Sequence, residues 1–214
     1  MAATLTPAQF VQALAAVGDA IAAAHDELCA LDGSIGDGDH GVTMKVGFEA
    51  IRTALGDSDG SEGFAPICGK AAKAFMSATG GSAGPLYATA LIRAGTALKD
   101  RPVMDGPAAA LFVGACAEGV QARGKASPGD KTMLDAWLPA AAAAREAAER
   151  GGDVVVVLAA AAQAAAEGAE ATRAMEARLG RASRLGQRSV GGVDPGAAST
   201  ALILRALRDA AAAA

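Results

Sequence analysis

Aromatic residues are nearly absent from this chain: one tryptophan, one tyrosine and five phenylalanines in 214 residues. A core with so few rings must be built from aliphatic side chains, and alanine supplies much of the 52% hydrophobic fraction. Alanine has the highest helix propensity, so composition alone leans to an all-α fold. Cysteine is also scarce. Cys29, Cys68 and Cys116 are odd in number, far apart and set among small apolar residues. Such spacing argues against a disulfide framework and for a reducing compartment. No Lys/Arg-rich run occurs and the formal net charge is −4, which speaks against a nucleic-acid footprint or an anionic membrane partner.

Targeting signals are lacking too. The start, MAATLTPAQF, has neither the charged beginning nor the continuous apolar core of a signal peptide. The longest apolar stretch, VVVVLAAAAQAAA from Val154, is interrupted by Gln163 and is short and alanine-rich for a bilayer span. A cytoplasmic protein is expected.

Strand alternation is almost missing, whereas helix signals recur. Thr6-Pro7-Ala8-Gln9 combines an N-cap, proline at the first helical position and the glutamine of a capping box. Phe10, Leu14, Val17, Ile21 and Leu28 then mark one face, so a first helix is expected to run into Leu31. Further helices are expected over about 41–55, 62–78 (capped by Ser61), 85–99, 106–124, 132–150 (with Pro139 inside), 153–179 and from Asp194-Pro195 almost to the alanine tail. About eight helices with short links favour an up-and-down antiparallel bundle or barrel, and no Pro/Ser-rich linker divides 1–214 into separate domains.

In such a bundle alternate connections share one end. The connections after the first, third, fifth and seventh helices contain GSIGDGDHG, TGGSAGP, GKASPGDK and GRASRLGQRSVGGVDPG. All four glycine-rich loops are therefore expected on one rim. In LDGSIGDGDHG, Asp32, Asp37 and Asp39 offer hard oxygen donors suited to Mg²⁺ or Ca²⁺. A solvated turn is the commoner meaning of an isolated Asp-Gly-Asp, and the residue types alone leave both readings open. TGGSAGP joins two helices, where glycine and free N–H groups suit a phosphate but also an ordinary turn. Arg181, Arg184 and Arg188 sit in the last loop, where one arginine can reach a phosphoryl group while solvated charge is the default for the others.

Two near-motifs are rejected. Gly119 to Lys125 spells most of a P-loop, but Ala126 stands where Ser or Thr would hold Mg²⁺, and a helix precedes it instead of a strand. Asp57 to Glu62 is half a calcium loop without the rest. His25 reads as a solvated residue of the first helix; His40 abuts the carboxylates and either meets a nucleotide or ends the turn.

Taken together, LDGSIGDGDHG, GGSAGPLYATA, RGKASPGDKTMLDAW and GRASRLGQRSVGGVDPGAAS resemble, in order and across essentially the whole chain, the L subunit of dihydroxyacetone kinase. The resemblance implies a barrel of eight antiparallel helices with a nucleotide at one rim, so the chain would be one nucleotide-binding phosphotransferase domain. It implies that Asp32, Asp37 and Asp39 hold two Mg²⁺ ions bridging the phosphates of ADP or ATP. His40, Gly41, Val42 and Thr43 would line the nucleotide site; Gly81, Ser82 and Ala83 would approach the phosphates; Gly124 and Met133 would border the adenine. Arg181, with Asp194, Pro195 and Gly196, would belong to a covering lid, and Arg181 would stabilise the transferring phosphoryl group.

The resemblance further implies a partner, because in that family a histidine on a separate K subunit or domain holds the triose. The phosphate donor is either freely exchanging ATP or bound ADP rephosphorylated by a phosphotransferase-system protein. A non-catalytic, nucleotide-dependent module that regulates another protein is the alternative, and a homodimer is left open. The chain departs from the family at Gly191-Gly192-Val193, where a bulkier polar residue is expected after the first glycine.

Overall fold

A computed structural model describes residues 2–214 as nine α-helices with no β-strand among the described residues. These are α1 (Pro7–Ala23), α2 (His25–Ile35), α3 (His40–Leu55), α4 (Phe64–Ala78), α5 (Ala83–Ala97), α6 (Gly106–Gly124), α7 (Leu134–Glu149), α8 (Val154–Ala171) and α9 (Pro195–Ala213). Eight of them, α1 and α3 to α9, form a closed antiparallel ring in which each packs on the next and α9 returns to α1. The ninth, α2, lies over α3 and α9 at one end. A continuous hydrophobic cluster runs from Leu5 to Ala211 through the interior.

Local chemistry accounts for most helix starts. Thr6 and Gln9 form the reciprocal capping box of α1. Asp105, Asp153 and Asp194 each accept first-turn N–H groups at the starts of α6, α8 and α9. Three expectations are corrected. The first helix does not run straight through: it breaks at Ala24, where nothing in the alanine-rich sequence signals a stop, and α2 turns to cover the start of α3. That close crossing needs Gly41, whose added Cβ would strike the His25 carbonyl and lie 2.7 Å from Cys29 Sγ. Ser61 caps nothing; α4 begins after Gly63, and the preceding polar stretch is a turn in which Asp59 accepts the Ser61 N–H at 2.9 Å. Finally, α8 stops at Ala171, well before Leu179, and passes into a 3-10 turn, Thr172–Ala174, where the Thr172 carbonyl and hydroxyl accept from Lys131 Nζ at 2.7 Å and the Asp194 N–H at 2.8 Å.

Pro139 does not end α7. It deprives the Asp135 carbonyl of its usual i+4 donor, and Gly168 of α8 lies directly against that carbonyl. Val154–Ala174 has the length and mean hydropathy (1.4) of a membrane span, yet α8 takes its place in the ring, packed on α6, α7 and α9. The three cysteines are free, as expected, and burial pushes the Cys68 thiol up to about 12.

Small residues replace rings where helices meet. A Cβ on Gly119 of α6 would stand 2.8 Å from Ala90 Cα and 3.0 Å from Ala90 N, both backbone atoms of α5 that cannot rotate away. Gly119→Ala is therefore expected to destabilise by about 1–3 kcal/mol, although alanine is the better helix former by ~1 kcal/mol. Gly114→Ala on the same helix meets nothing within 4 Å and is expected to stabilise slightly; urea melts of the two variants check the contrast.

Candidate functional site

The four glycine-rich loops converge. A cleft of about 670 Å³ opens at one end of the ring, lined from the α2–α3 turn, the α4–α5 turn, the α6–α7 loop and the segment between α8 and α9. Its acidic wall is built by a short local device. Asp32 lies in the last turn of α2, not in the loop, and its Oδ2 accepts the N–H groups of Asp39 at 2.9 Å and His40 at 3.2 Å. It thereby caps the start of α3, where Asp39 supplies no side-chain cap of its own. Gly38, at φ +79°, lets the chain reverse between Asp37 and Asp39. One oxygen from each of Asp32, Asp37 and Asp39 then lies within 4.8 Å of the others.

Three carboxylates at that spacing repel one another, and the structure answers with a cation. The Arg181 guanidinium pairs with Asp37 and stands 3.8 Å from Asp39. Arg181 is carried across from a 3-10 segment, Arg181–Ser189, that packs on α2. Arg184 and Arg188 do not line the cleft.

Opposite the acids, α5 begins at Ala83 behind Gly81, at φ +67°, and Ser82 offers no side-chain cap. The first-turn N–H groups of Ala83 and Gly84 lack intrahelical acceptors, and Pro85 has no N–H. Gly81, Ser82 and Ala83 all face the cleft. The far wall holds Gly124 at the end of α6 and Met133 before α7. Gly196 lies against Met133, where a Cβ would come within 3.2 Å of Met133 Cβ, so the start of α9 closes beside it.

Most sequence-predicted residues thus share one cleft, including Thr43 and Pro195, but two do not. Gly41 is buried under α2, and Val42 faces outward at 47% exposure. His40 lines the cleft, yet its ring turns inward: Nε2 lies 2.9 Å from Ser199 Oγ, which also meets the Tyr87 hydroxyl at 3.1 Å. Burial pulls the His40 pKa below its ordinary value, opposed by the Asp32 carboxylate. His25 begins α2, its Nδ1 2.8 Å from Asp26, away from the cleft.

Sequence reasoning missed several residues. Arg123, inside the rejected P-loop look-alike, lines the cleft from the last turn of α6. Asp135 shapes the α6–α7 loop by accepting the N–H groups of Gly129 at 2.6 Å and Thr132 at 2.9 Å. Lys131 is 1% exposed despite its charge. Its signal was present in GKASPGDK, but a lysine in a polar loop reads as solvated. At Gly191-Gly192-Val193, Gly191 adopts φ +105°, Val193 is buried, and a Cβ on Gly192 would approach Ser34 Oγ to 3.2 Å.

Asp194 is half-buried, but its carboxyl is enclosed; that burial pushes the pKa up to about 7, against the Ala197 N–H and the Lys131 charge.

Comparison with known proteins agrees with this architecture. A family model described as the DAK2 domain matches residues 34–209. The subunit named "PEP-dependent dihydroxyacetone kinase, ADP-binding subunit DhaL" of Escherichia coli (strain K12) is 39% identical over 211 residues, 97% of this chain and 99% of that one. A D-erythrulose kinase of Mycolicibacterium smegmatis is 36% identical over 92% of this chain and 34% of its own length. Among solved structures, the dihydroxyacetone kinase from C. freundii in complex with AMP-PNP and Mg²⁺ superposes with a TM-score of 0.73 at 24% identity. The match covers 93% of this chain and 33% of that enzyme, and at such identity the likeness is one of fold. A helical barrel with a carboxylate-edged cleft at one end is the class that fold and site define. The chain belongs to the DAK2 domain family, in its DhaL-type form.

The Asp194 shift has a sign that can be tested. The folded protein holds this proton more tightly than the unfolded chain, so the group's contribution is complete below its ordinary value of 3.8 and lost as the pH rises through about 7. The stability difference between wild type and Asp194→Asn should therefore shrink, or reverse in favour of the variant, between about pH 4 and pH 7 and stay constant above. Urea melts of both proteins across that range measure it, and His40, present in both, cancels.

Proposed function

We propose that this chain is the nucleotide- and Mg²⁺-binding subunit of a kinase for dihydroxyacetone or a related small ketose, a single phosphotransferase domain working with a sugar-holding K subunit. The observation that carries the reading is the juxtaposition of three carboxylates with oxygens within 4.8 Å, an uncapped helix start and an arginine paired with those carboxylates at one cleft. Hard, converging oxygens fit Mg²⁺ and give a nucleotide phosphate chain, itself anionic, a means of staying beside aspartates. Two Mg²⁺ bound by Asp32, Asp37 and Asp39 would neutralise phosphate charge.

The other groups then have defined tasks. The N–H groups of Ala83 and Gly84, reached past Gly81 and Ser82, donate to phosphate oxygens. Gly124 and Met133 border the base, and Asp194, Pro195 and Gly196 close beside it. His40 and Thr43 form the floor of the cleft. Arg181 exchanges its carboxylate partners for the phosphoryl group and spreads its charge over the equatorial oxygens during transfer. Phosphoryl transfer asks mainly for positioning and neutralisation, which this chain provides, while the acceptor hydroxyl arrives on the K subunit. The end-to-end likeness to a subunit named as ADP-binding and PEP-dependent favours bound ADP, rephosphorylated by a phosphotransferase-system protein, over exchanging ATP.

Titrating ADP, with and without Mg²⁺, by calorimetry into protein first stripped of any bound nucleotide is expected to show binding only with the metal; equal, negligible heats would sink the nucleotide reading. Asp37→Asn should weaken Mg²⁺-dependent binding by about tenfold or more while the far-UV helix signal survives.

ADP released on denaturing the purified protein would identify the bound-ADP mode. Mixing the chain with a K subunit and following phosphate transfer to dihydroxyacetone separates kinase from regulator: no phosphorylated sugar with any donor favours a regulatory module.

A further inference from the structure

The segment that delivers Arg181 has little packing of its own: between residues 173 and 192 only Ala177 and Ser189 are buried. Something else must fix where it stands. Its two ends meet at a single buried ammonium. Lys131 Nζ donates to the carbonyl of Thr172, where α8 gives way to the segment, at 2.7 Å. It also donates to the carbonyl of Gly192, where the segment returns toward α9, at 2.6 Å. The Asp194 carboxylate, two residues further on, interacts favourably with the same charge.

Secondary ties zip the same base. Arg173 and Gly191 exchange backbone and side-chain bonds at 2.8 and 2.9 Å, and Asp194 N donates to Thr172 Oγ1 at 2.8 Å. Arg178 N reaches the Asp130 carbonyl, in the Lys131 loop, at 3.1 Å. The loop in turn holds Lys131 at φ +59°, a left-handed conformation that a non-glycine residue adopts at a cost of about 1 kcal/mol or more. A strained, buried lysine that satisfies two carbonyls is an expensive arrangement if its only product is a surface loop.

We propose that Lys131 is a positioning residue for phosphoryl transfer: by tying together both ends of the Arg181 segment from inside the protein, it sets the hinge from which Arg181 reaches the phosphates beside the carboxylates. This rests on the nucleotide reading above for its consequence, but the clamp itself does not. Removing the ammonium leaves the Gly192 carbonyl without its donor and the Thr172 carbonyl with only the Met175 N–H, at 3.0 Å; the hinge is freed, while the carboxylate triad, built by the α2–α3 turn, stays intact.

The clamp is tested first without nucleotide. Arg178, Arg181, Arg184 and Arg188 are exposed on the segment, so trypsin, with the cut sites identified by mass spectrometry, reports its opening. Lys131→Met is expected to speed cleavage at these arginines by about tenfold or more, with cleavage elsewhere unchanged. Arg173→Gln, which loosens the same base from the surface, should give a smaller increase.

The consequence is tested by a double-mutant cycle with Arg181→Ala, reading Mg²⁺·ADP affinity and phosphoryl transfer to dihydroxyacetone with the K subunit. Lys131→Met should lower transfer at saturating substrate about as much as Arg181→Ala does, and should cost nothing further in the Arg181→Ala background. Additive losses would mean Lys131 acts elsewhere and would overturn the proposal, as would unchanged cleavage in a folded Lys131→Met protein. Should that variant fail to fold, Lys131→Gln, which keeps a polar donor, takes its place; failure of both would make Lys131 a folding determinant and overturn the positioning role. If wild type binds no Mg²⁺·ADP, the functional reading falls and the proteolysis result still decides whether the clamp exists.

Discussion

Three carboxylates brought within 4.8 Å of each other repel, and the rim of this protein is organised around that repulsion. The cost is contained by geometry before any cation is considered. Asp32 gives one oxygen to the N–H groups that open α3, which both spreads its charge and locks the turn. Arg181 takes the outward-facing Asp37 and Asp39. A cluster arranged in this way holds its negative field at the mouth of the cleft, facing the uncapped start of α5.

The barrel matters because it supplies a common end. Four loops separated by up to about 150 residues in sequence meet only because consecutive helices run antiparallel and α9 closes on α1. Closure without large rings depends on close backbone approach: Gly119 against Ala90, Gly168 against the carbonyl freed by Pro139, Gly41 beneath α2. Side chains there are small so that the walls are thin, and the single tryptophan, Trp137, sits buried in the core.

Much of this was legible in the sequence, for identifiable reasons. Capping chemistry is local, so the starts of α1, α6, α8 and α9 could be placed from Thr6, Asp105, Asp153 and Asp194. The convergence of loops followed from alternation of direction. The break at Ala24 was not legible because it lies in an alanine run and is imposed by the packing of α2 on α3 and α9. The end of α8 escaped for a related reason: at Thr172 the chain is held by Lys131 and Asp194, partners distant in sequence. The site showed the same division. Aspartates and glycines advertise themselves, whereas the inward ring of His40 and the buried ammonium of Lys131 depend on partners more than 40 residues away, Ser199 and Thr172 among them.

Ring closure has one more consequence, for the order in which the barrel is strung. With α1 and α9 side by side, the chain's covalent sequence is only one of several that could trace the same staves. A linker across α9 and α1, together with a cut in the exposed turn between α3 and α4, would leave each helix its neighbours and the cleft its four loops. Connectivity, in this architecture, is separable from assembly.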